Sequence, residues 1–242
     1  MRIVGKTDIG MVRDTNQDAF KIVALGTGAG LALVCDGMGG ARGGDTASSI
    51  AKTVITETVQ GKYQEIMGAE AAQTLIREAV LNANRAVYQM AREHPEFAGM
   101  GTTVVLALLY QNHAYIAHVG DSRLYCYRGG ALSQLTRDHS YVQEMVDRGE
   151  LSESEARNHP GKNIITRAVG VNWDVEIDVH TLELAPGDRL LLCTDGLSNL
   201  CTDAQIMEVL GSLSIEEAAE ALIRMANQGG GHDNITVVIV ES

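Results

Sequence analysis

An α+β fold, with antiparallel sheets covered by helices, is predicted by three observations. About ten short apolar or alternating runs are joined largely by tight turns, too short for parallel crossovers. Two long amphipathic helices come early in the chain and two more come late. The elements do not alternate strand with helix, which argues against a doubly wound parallel sheet. The 242 residues, 45% hydrophobic and 21% charged, can bury a sizeable core in one large domain or two small ones.

Taken in order, Arg2–Lys6 and Ala19–Ala24 read as strands flanking a polar, turn-rich segment, Gly10–Asp18. Leu31–Cys35 is apolar without interruption, so both of its faces should be covered. Gly39–Gly44 is too rich in glycine for a helix interior, and the following helix is expected to start at an Asp45 cap and close at Gly61. Ala69–Glu93 carries the clearest helical spacing, through Ala72, Leu75, Ile76, Ala79, Ala83, Val87 and Met90, and Pro95 marks its end. Thr102–Tyr110, Ala114–Val119, Arg123–Arg128 and Ala131–Leu135 read as a continuous antiparallel meander with tight turns at Gln111-Asn112-His113, Gly120-Asp121-Ser122 and Gly129-Gly130. Residues 137–170 change to polar and charged, with two short helical patterns, as expected of an insertion lying over a sheet. Val175–Leu184 and Asp188–Thr194 return to strands. Thr202-Asp203 caps one helix, and Ser214 with Glu217 forms a capping box for another over Ile215–Asn227. Ile235–Val240, nearly all β-branched, is the last strand.

A net charge of −12 disfavours nonspecific binding to nucleic acid or to an anionic membrane. The four cysteines lack CxxC spacing, which argues against zinc and for a reduced, cytoplasmic setting. No apolar run approaches the roughly 20 residues of a membrane span, and the N-terminus has no signal-like apolar core. Gly5-Lys6-Thr7 has no room before it for the rest of a P-loop, and neither Ser122 nor Ser198 sits in a GxSxG elbow. His118 reads as a packed strand residue.

The chemistry is carried by aspartates at strand ends. Asp36 and Asp195 each follow an apolar run and precede a glycine, whereas Asp18 and Asp233 lie just before strands. Antiparallel neighbours bring the end of one strand beside the start of the next, so these four can converge at one rim, and Asp121 can join them from its turn. Clustered carboxylates repel one another, and hard divalent cations with oxygen ligands resolve the conflict; Mg²⁺ or Mn²⁺ fits better than Zn²⁺. Each aspartate could equally cap a turn.

Eight motifs in order resemble the metal-dependent Ser/Thr protein phosphatases of type 2C in their compact bacterial form. They are Arg13-Asp14-Thr15-Asn16-Gln17-Asp18, Val34-Cys35-Asp36-Gly37-Met38-Gly39-Gly40, Gly101-Thr102-Thr103, Val119-Gly120-Asp121-Ser122-Arg123, Thr136-Arg137-Asp138-His139-Ser140, Ile165-Thr166-Arg167-Ala168-Val169-Gly170, Cys193-Thr194-Asp195-Gly196-Leu197 and Gly231-His232-Asp233-Asn234-Ile235-Thr236. The resemblance implies a four-layer α-β-β-α sandwich, two antiparallel sheets flanked by helical layers, forming a single catalytic domain over 1–242 with a flap at about 137–170. It implies two Mn²⁺ or Mg²⁺ ions and a weaker third one. Asp36 would bridge the pair, the Gly37 carbonyl would bind the first ion, Asp18, Asp195 and Asp233 would complete the second, and Asp121 with Asp195 would hold the third. Arg13 matches the arginine that binds the substrate phosphate, for which a guanidinium fork is well suited.

The implied activity is hydrolysis of phosphoserine and phosphothreonine in proteins by a dimetal-bound water, in a cytoplasmic monomer opposing a Ser/Thr kinase and acting on its substrates. The alternative, a catalytically weak or dead phosphoprotein-binding regulator, would call for lost metal aspartates, and all five are in place. The chain departs from its resemblance at Ala41, where bacterial relatives often carry histidine, and at Met38, where eukaryotic members do; this removes the usual general acid and leaves metal-bound water, His139 or His232 as substitutes.

Overall fold

Two antiparallel sheets stack face to face, and a helical layer covers each outer side, as the resemblance implies. The computed structural model describes residues 1–242, apart from the side chains of Ala41 and Arg42. The strands are β1 (Arg2–Asp8), β2 (Asp18–Gly26), β3 (Ala29–Met38), β4 (Gly101–Thr102), β5 (Val104–Tyr110), β6 (His113–Val119), β7 (Arg123–Arg128), β8 (Ala131–Gln134), β9 (Asp178–Glu183), β10 (Arg189–Cys193) and β11 (Ile235–Glu241). One sheet runs β1-β11-β10-β7-β8; the other runs β2-β3-β5-β6-β9, with β4 extending the pairing of β3.

The period of two in the strands builds the layers. On β3, Ala32 and Val34 point between the sheets, where they meet Val105, Leu124, Leu190 and Val238. Leu31, Leu33 and Cys35 point the other way, into the core beneath helices α1 (Gly40–Lys62) and α2 (Ala69–Glu93). Across the other sheet, Leu191, Cys193, Val237 and Ile239 pack under three further helices, α5 (Asp195–Ser198), α6 (Asp203–Ser212) and α7 (Ile215–Gln228). A strand buried on both faces needs the uninterrupted apolar runs seen in the sequence; each large side chain sunk this way contributes about 1.5–3 kcal/mol.

Helix α2 and the capping boxes Thr202/Gln205 and Ser214/Glu217 lie where their sequence signals put them. Two expectations are overturned. Helix α1 starts at Gly40, not at Asp45, with Gly39 as its cap at φ 119°. Its glycines are tolerated because the helix start is pressed against neighbouring backbone. A Cβ on Gly44 would lie 2.6 Å from the Gly37 carbonyl oxygen, and one on Gly43 would lie 3.0 Å from Met100. Close approach outweighs helix propensity here.

The four-strand meander also fails. β5 pairs with β6 and β7 pairs with β8, but β6 and β7 lie in different sheets. The Gly120-Asp121-Ser122 turn is therefore a crossover between the two layers. Gly120 (φ 112°) packs so tightly on Thr103 that a Cβ would sit 2.6 Å from its methyl carbon.

Residues 137–170 hold α3 (Tyr141–Asp147) and α4 (Glu153–Ala156), capped by Ser140 and Ser152. The base of this segment is closed by a bridge between Ser140 and Ile165 and by Thr166 N–H donating to the His139 carbonyl.

Candidate active site

All five predicted aspartates come together at one end of the sandwich, supplied by both sheets and the crossover. Asp18 on β2 stands directly opposite Asp36 on β3 in the antiparallel register. Asp195 follows β10 and Asp233 precedes β11, two strands that are themselves antiparallel neighbours. Asp121 enters from the β6–β7 crossover. Asp36 lies inside β3 rather than beyond its end, because Gly37 and Met38 continue the strand to pair with Thr102 and Gly101 of β4.

Burial and mutual repulsion act on these carboxylates together. Burial, followed by Asp18, Asp195, Asp121 and Asp233, pushes Asp36 well above the usual carboxylate range. Burial raises Asp18 to about 7 against the opposing hydrogen bonds of Thr236 and Thr194. Asp195 rises to about 6, through burial and then Asp233, while its hydrogen-bonding contact with Asp36 pulls the other way. Asp121 is also pushed well up, by burial and then by Asp195. Oδ1 of Asp18, Asp121 and Asp195 is out of reach of solvent and has no hydrogen-bond partner. Buried oxygens left in this way are costly unless something binds them, and a hard cation is the partner that matches an all-oxygen set.

The surrounding residues hold the set in place. The Asp36 N–H donates to Thr103 Oγ1 at 2.9 Å, while its carbonyl accepts from Thr103 N–H and Thr102 Oγ1, both at 2.8 Å. Thr103 Oγ1 also meets Ser122 Oγ at 2.7 Å, which ties Asp36 to the crossover carrying Asp121. Asn199 Nδ2 donates to Asp195 Oδ2 at 2.9 Å. Gly196 must be glycine, since a Cβ would meet the Asn234 carbonyl at 2.0 Å. The Gly37 carbonyl, expected as a ligand, lies against Gly44, whose lack of a side chain leaves it room.

Arg13 sits at the exposed rim. One of its NH₂ groups donates to Asp233 Oδ2 at 2.7 Å, which raises the guanidinium pKa further, and 52% of the side chain remains accessible. Its loop is pinned from the far end of the chain. Asn234 Nδ2 donates to the carbonyls of Ile9 and Thr15, its Oδ1 accepts Gln17 N–H, and Met11 N–H donates to the Gly231 carbonyl. A cleft of about 480 Å³ opens from Asp121 and Asp195 toward Val142, Val146, Arg157 and Lys162 of the 137–170 segment.

His139, a candidate acid in the sequence, is engaged elsewhere. Gly120 N–H donates to its Nδ1 at 3.0 Å, placing the ring proton on Nε2, 3.2 Å from Asp178 Oδ2. Burial and Arg167 both lower its pKa. His232 is exposed, beside Gly230. The side chain of Ala41 lies outside the described residues. Met38 ends β3, with its methyl carbon 3.0 Å from where a Cβ on Gly101 would stand. Sequence reasoning passed over the threonines and Asn234, although all lie within the quoted motifs; hydroxyl side chains beside aspartates in otherwise apolar strands were the signal.

Two antiparallel sheets between helical layers, with acidic side chains from both sheets gathered at one end, form the architecture of a metal-dependent phosphatase. A family model described as protein phosphatase 2C matches residues 12–230. The chain is 39% identical over 237 residues to a serine/threonine phosphatase stp of Listeria monocytogenes, covering 98% of this chain and 94% of that one. It superposes with a TM-score of 0.91 on the crystal structure of the Mycobacterium tuberculosis serine/threonine phosphatase PstP/Ppp, at 35% identity and covering 99% and 97% of the two chains. A structure of the PstP catalytic domain in complex with two manganese ions matches with a TM-score of 0.88 at 34% identity, covering 99% and 97%. The chain belongs to the protein phosphatase 2C family.

Proposed function

We propose that the chain is a single catalytic domain, with residues 137–170 as its flap, that hydrolyses phosphoserine and phosphothreonine in proteins using two Mn²⁺ or Mg²⁺ ions. The observation that carries this reading is the aspartate set itself: five acids drawn from both sheets, with three oxygens buried and unpaired. Asp36 and the Gly37 carbonyl would hold one ion, Asp36 with Asp18, Asp195 and Asp233 the other, and Asp121 with Asp195 a weaker third. When bound, such a pair supplies an activated water and neutralises charge on the phosphoryl oxygens. Arg13, held at the rim by Asp233 and exposed beyond it, is placed to bind and orient the phosphate. Asp18 and Asp36 sit in paired strands and the other three at the ends of strands or in the turn between them, so the fold fixes the set before substrate arrives.

The reading extends to an enzyme acting as a monomer in the cytoplasm and opposing a Ser/Thr kinase on shared substrates. Among the described residues no helix is long and apolar enough to cross a membrane. With all five acids in place, nothing favours the alternative of an inactive phosphoprotein-binding regulator.

Hydrolysis of p-nitrophenyl phosphate and of a phosphothreonine peptide, with Mn²⁺ and with EDTA, tests the proposal. Asp36→Asn should cost about 10³-fold in kcat/KM on both substrates, since several kcal/mol of charge stabilisation is lost. Full activity in EDTA or in Asp36→Asn would overturn it. With His139 buried in other contacts, the peptide, whose alkoxide is the poorer leaving group, should turn over more slowly than the aryl ester.

A further inference from the structure

Asp18, like Asp195, has its two oxygens treated in opposite ways, but its bonded oxygen is held by two buried hydroxyls from the other sheet rather than by one neighbouring amide. Oδ2 accepts two hydrogen bonds, from Thr236 Oγ1 at 2.7 Å and from Thr194 Oγ1 at 2.9 Å. Oδ1 is buried and accepts none. Both threonines are fully buried, one at the end of β10 and one within β11.

The direction of every proton in this network follows from its members. An ionised carboxylate only accepts, so the single Thr236 hydroxyl proton goes to Asp18. Thr7 Oγ1, 2.7 Å from Thr236 Oγ1, must then donate to it, and Thr7 in turn accepts from Asn16 Nδ2 at 2.9 Å. Thr194 spends its proton on Asp18 and accepts Thr236 N–H at 3.0 Å. Each hydroxyl thus has one donor behind it and one acceptor in front, and both threonine chains end on the same oxygen. The two donors come from neighbouring strands of one sheet and converge on a carboxylate of the other sheet. They fix the rotation of the Asp18 side chain from across the sandwich.

We infer that Thr194 and Thr236 are positioning residues that lock Oδ2 of Asp18 and reserve Oδ1 for a cation or for a water in its shell. The inference rests on the two-cation reading above. Hydrogen-bond partners of metal-ligating groups typically change metal affinity by about 10–100-fold when removed.

The test is Mn²⁺ binding to the metal-stripped full chain by titration calorimetry, with no substrate present. Thr194→Val and Thr236→Val keep the shape of the side chain and remove the donor; each should weaken Mn²⁺ binding by about 10–100-fold. Thr236→Ser, which restores the hydroxyl, should return to within a few-fold of wild type. Thr7→Val, exposed and one bond further out, leaves both donors on Asp18 and should bind as wild type does. Asp18→Asn covers the case in which a valine variant fails to fold, and should lose affinity at least as strongly. Unchanged affinity in the valine variants, equal loss in Thr7→Val, or failure of Thr236→Ser to recover would overturn the inference while leaving the two-cation reading intact; unchanged affinity in Asp18→Asn would overturn it and also remove Asp18 from the second cation's ligands. A wild-type chain that binds no Mn²⁺ would sink that reading itself.

Discussion

Two of the polar clusters among the described residues differ in where their counter-charge comes from. The first is the aspartate set, five acids with one arginine at its exposed rim. The second is His118, His139 and Asp178, whose ligand atoms fall within 4.8 Å of one another. Arg167 closes this second group from within: Nη1 lies 3.0 Å from Asp178 Oδ1 and 2.9 Å from His139 Nε2, and Nη2 lies 3.0 Å from Glu176. Burial, with His139 adding to it, lowers the His118 pKa to about 3, and the two rings pack with centroids 4.6 Å apart. Glu176 is largely in solvent, and the remaining acid, arginine and two neutral rings balance without help. Five acids do not. Histidine and carboxylate atoms this close suit a metal ion by ligand type, yet the guanidinium already occupies the place a cation would take. Uncompensated charge, more than the presence of histidine, distinguishes a site built to bind something.

After the loss expected of Asp36→Asn, the largest effect on activity should come from the rim cation of the first cluster. Arg13→Ala removes charge-assisted hydrogen bonds to the phosphate, worth about 1.5–3 kcal/mol, and should lower kcat/KM by about 10–100-fold. The side chain is half exposed, so the melting temperature should scarcely move. Arg13→Lys should not restore activity, since an ammonium cannot reproduce the planar fork. A variant with normal kcat/KM would remove Arg13 from the site.

The resident cation of the second cluster should behave in the reverse way. Arg167→Ala leaves Asp178 without its guanidinium and should cost about 2 kcal/mol, a fall of several degrees in melting temperature for a chain of this size. Mn²⁺ affinity should stay within a few-fold of wild type. If affinity collapsed while stability held, the two clusters would be one functional unit and the comparison would break.

How much of this was legible in the sequence follows from how far each signal reaches along the chain. Asp36 and Asp195 were visible because each interrupts an apolar run with a carboxylate and a glycine, and antiparallel pairing then predicted the meeting with Asp18 and Asp233. The capping boxes were legible for the same local reason. The crossover at Gly120 was not, because a tight turn between two strands reads as a hairpin whichever sheet the second strand joins. The start of α1 is misread because Gly43 answers to Met100, far along the chain, and Gly44 to a close approach of the Gly37 carbonyl that only the fold creates. The histidine cluster draws on residues 118, 139, 167 and 178 from separate segments, so only the fold brings it into view. Thr194 and Thr236 stood in plain sight beside Asp195 and Asp233, but their partner Asp18 lies at the other end of the chain.

The effect that sets the charges of the two clusters against each other is in pH. In the metal-free chain Asp18 and Asp195 titrate near 7 and 6, above the ordinary 3.8, so the folded state holds their protons more tightly than the unfolded one. The stability this gives is present below about pH 4 and is lost as pH rises through 6 to 7. His118 has the opposite sign. Its pKa falls from 6.5 to about 3, so the stability of burying a neutral ring is present above pH 6.5 and is lost as pH falls toward 3. In EDTA the slopes oppose each other, but the raised aspartates (Asp18 and Asp195, with Asp36 and Asp121 also pushed up) outweigh the one histidine, so the melting temperature should fall as pH rises from about 5 to 7. Saturating Mn²⁺ keeps the aspartates ionised and removes their slope, leaving that of His118. The gain in melting temperature on adding Mn²⁺ should therefore grow from about pH 5 to pH 8, since each displaced proton is worth about 1.4 kcal/mol per pH unit. Differential scanning calorimetry across that range decides it. A gain independent of pH would mean that the cation displaces no protons, and that the aspartates are balanced within the protein much as Asp178 is by Arg167.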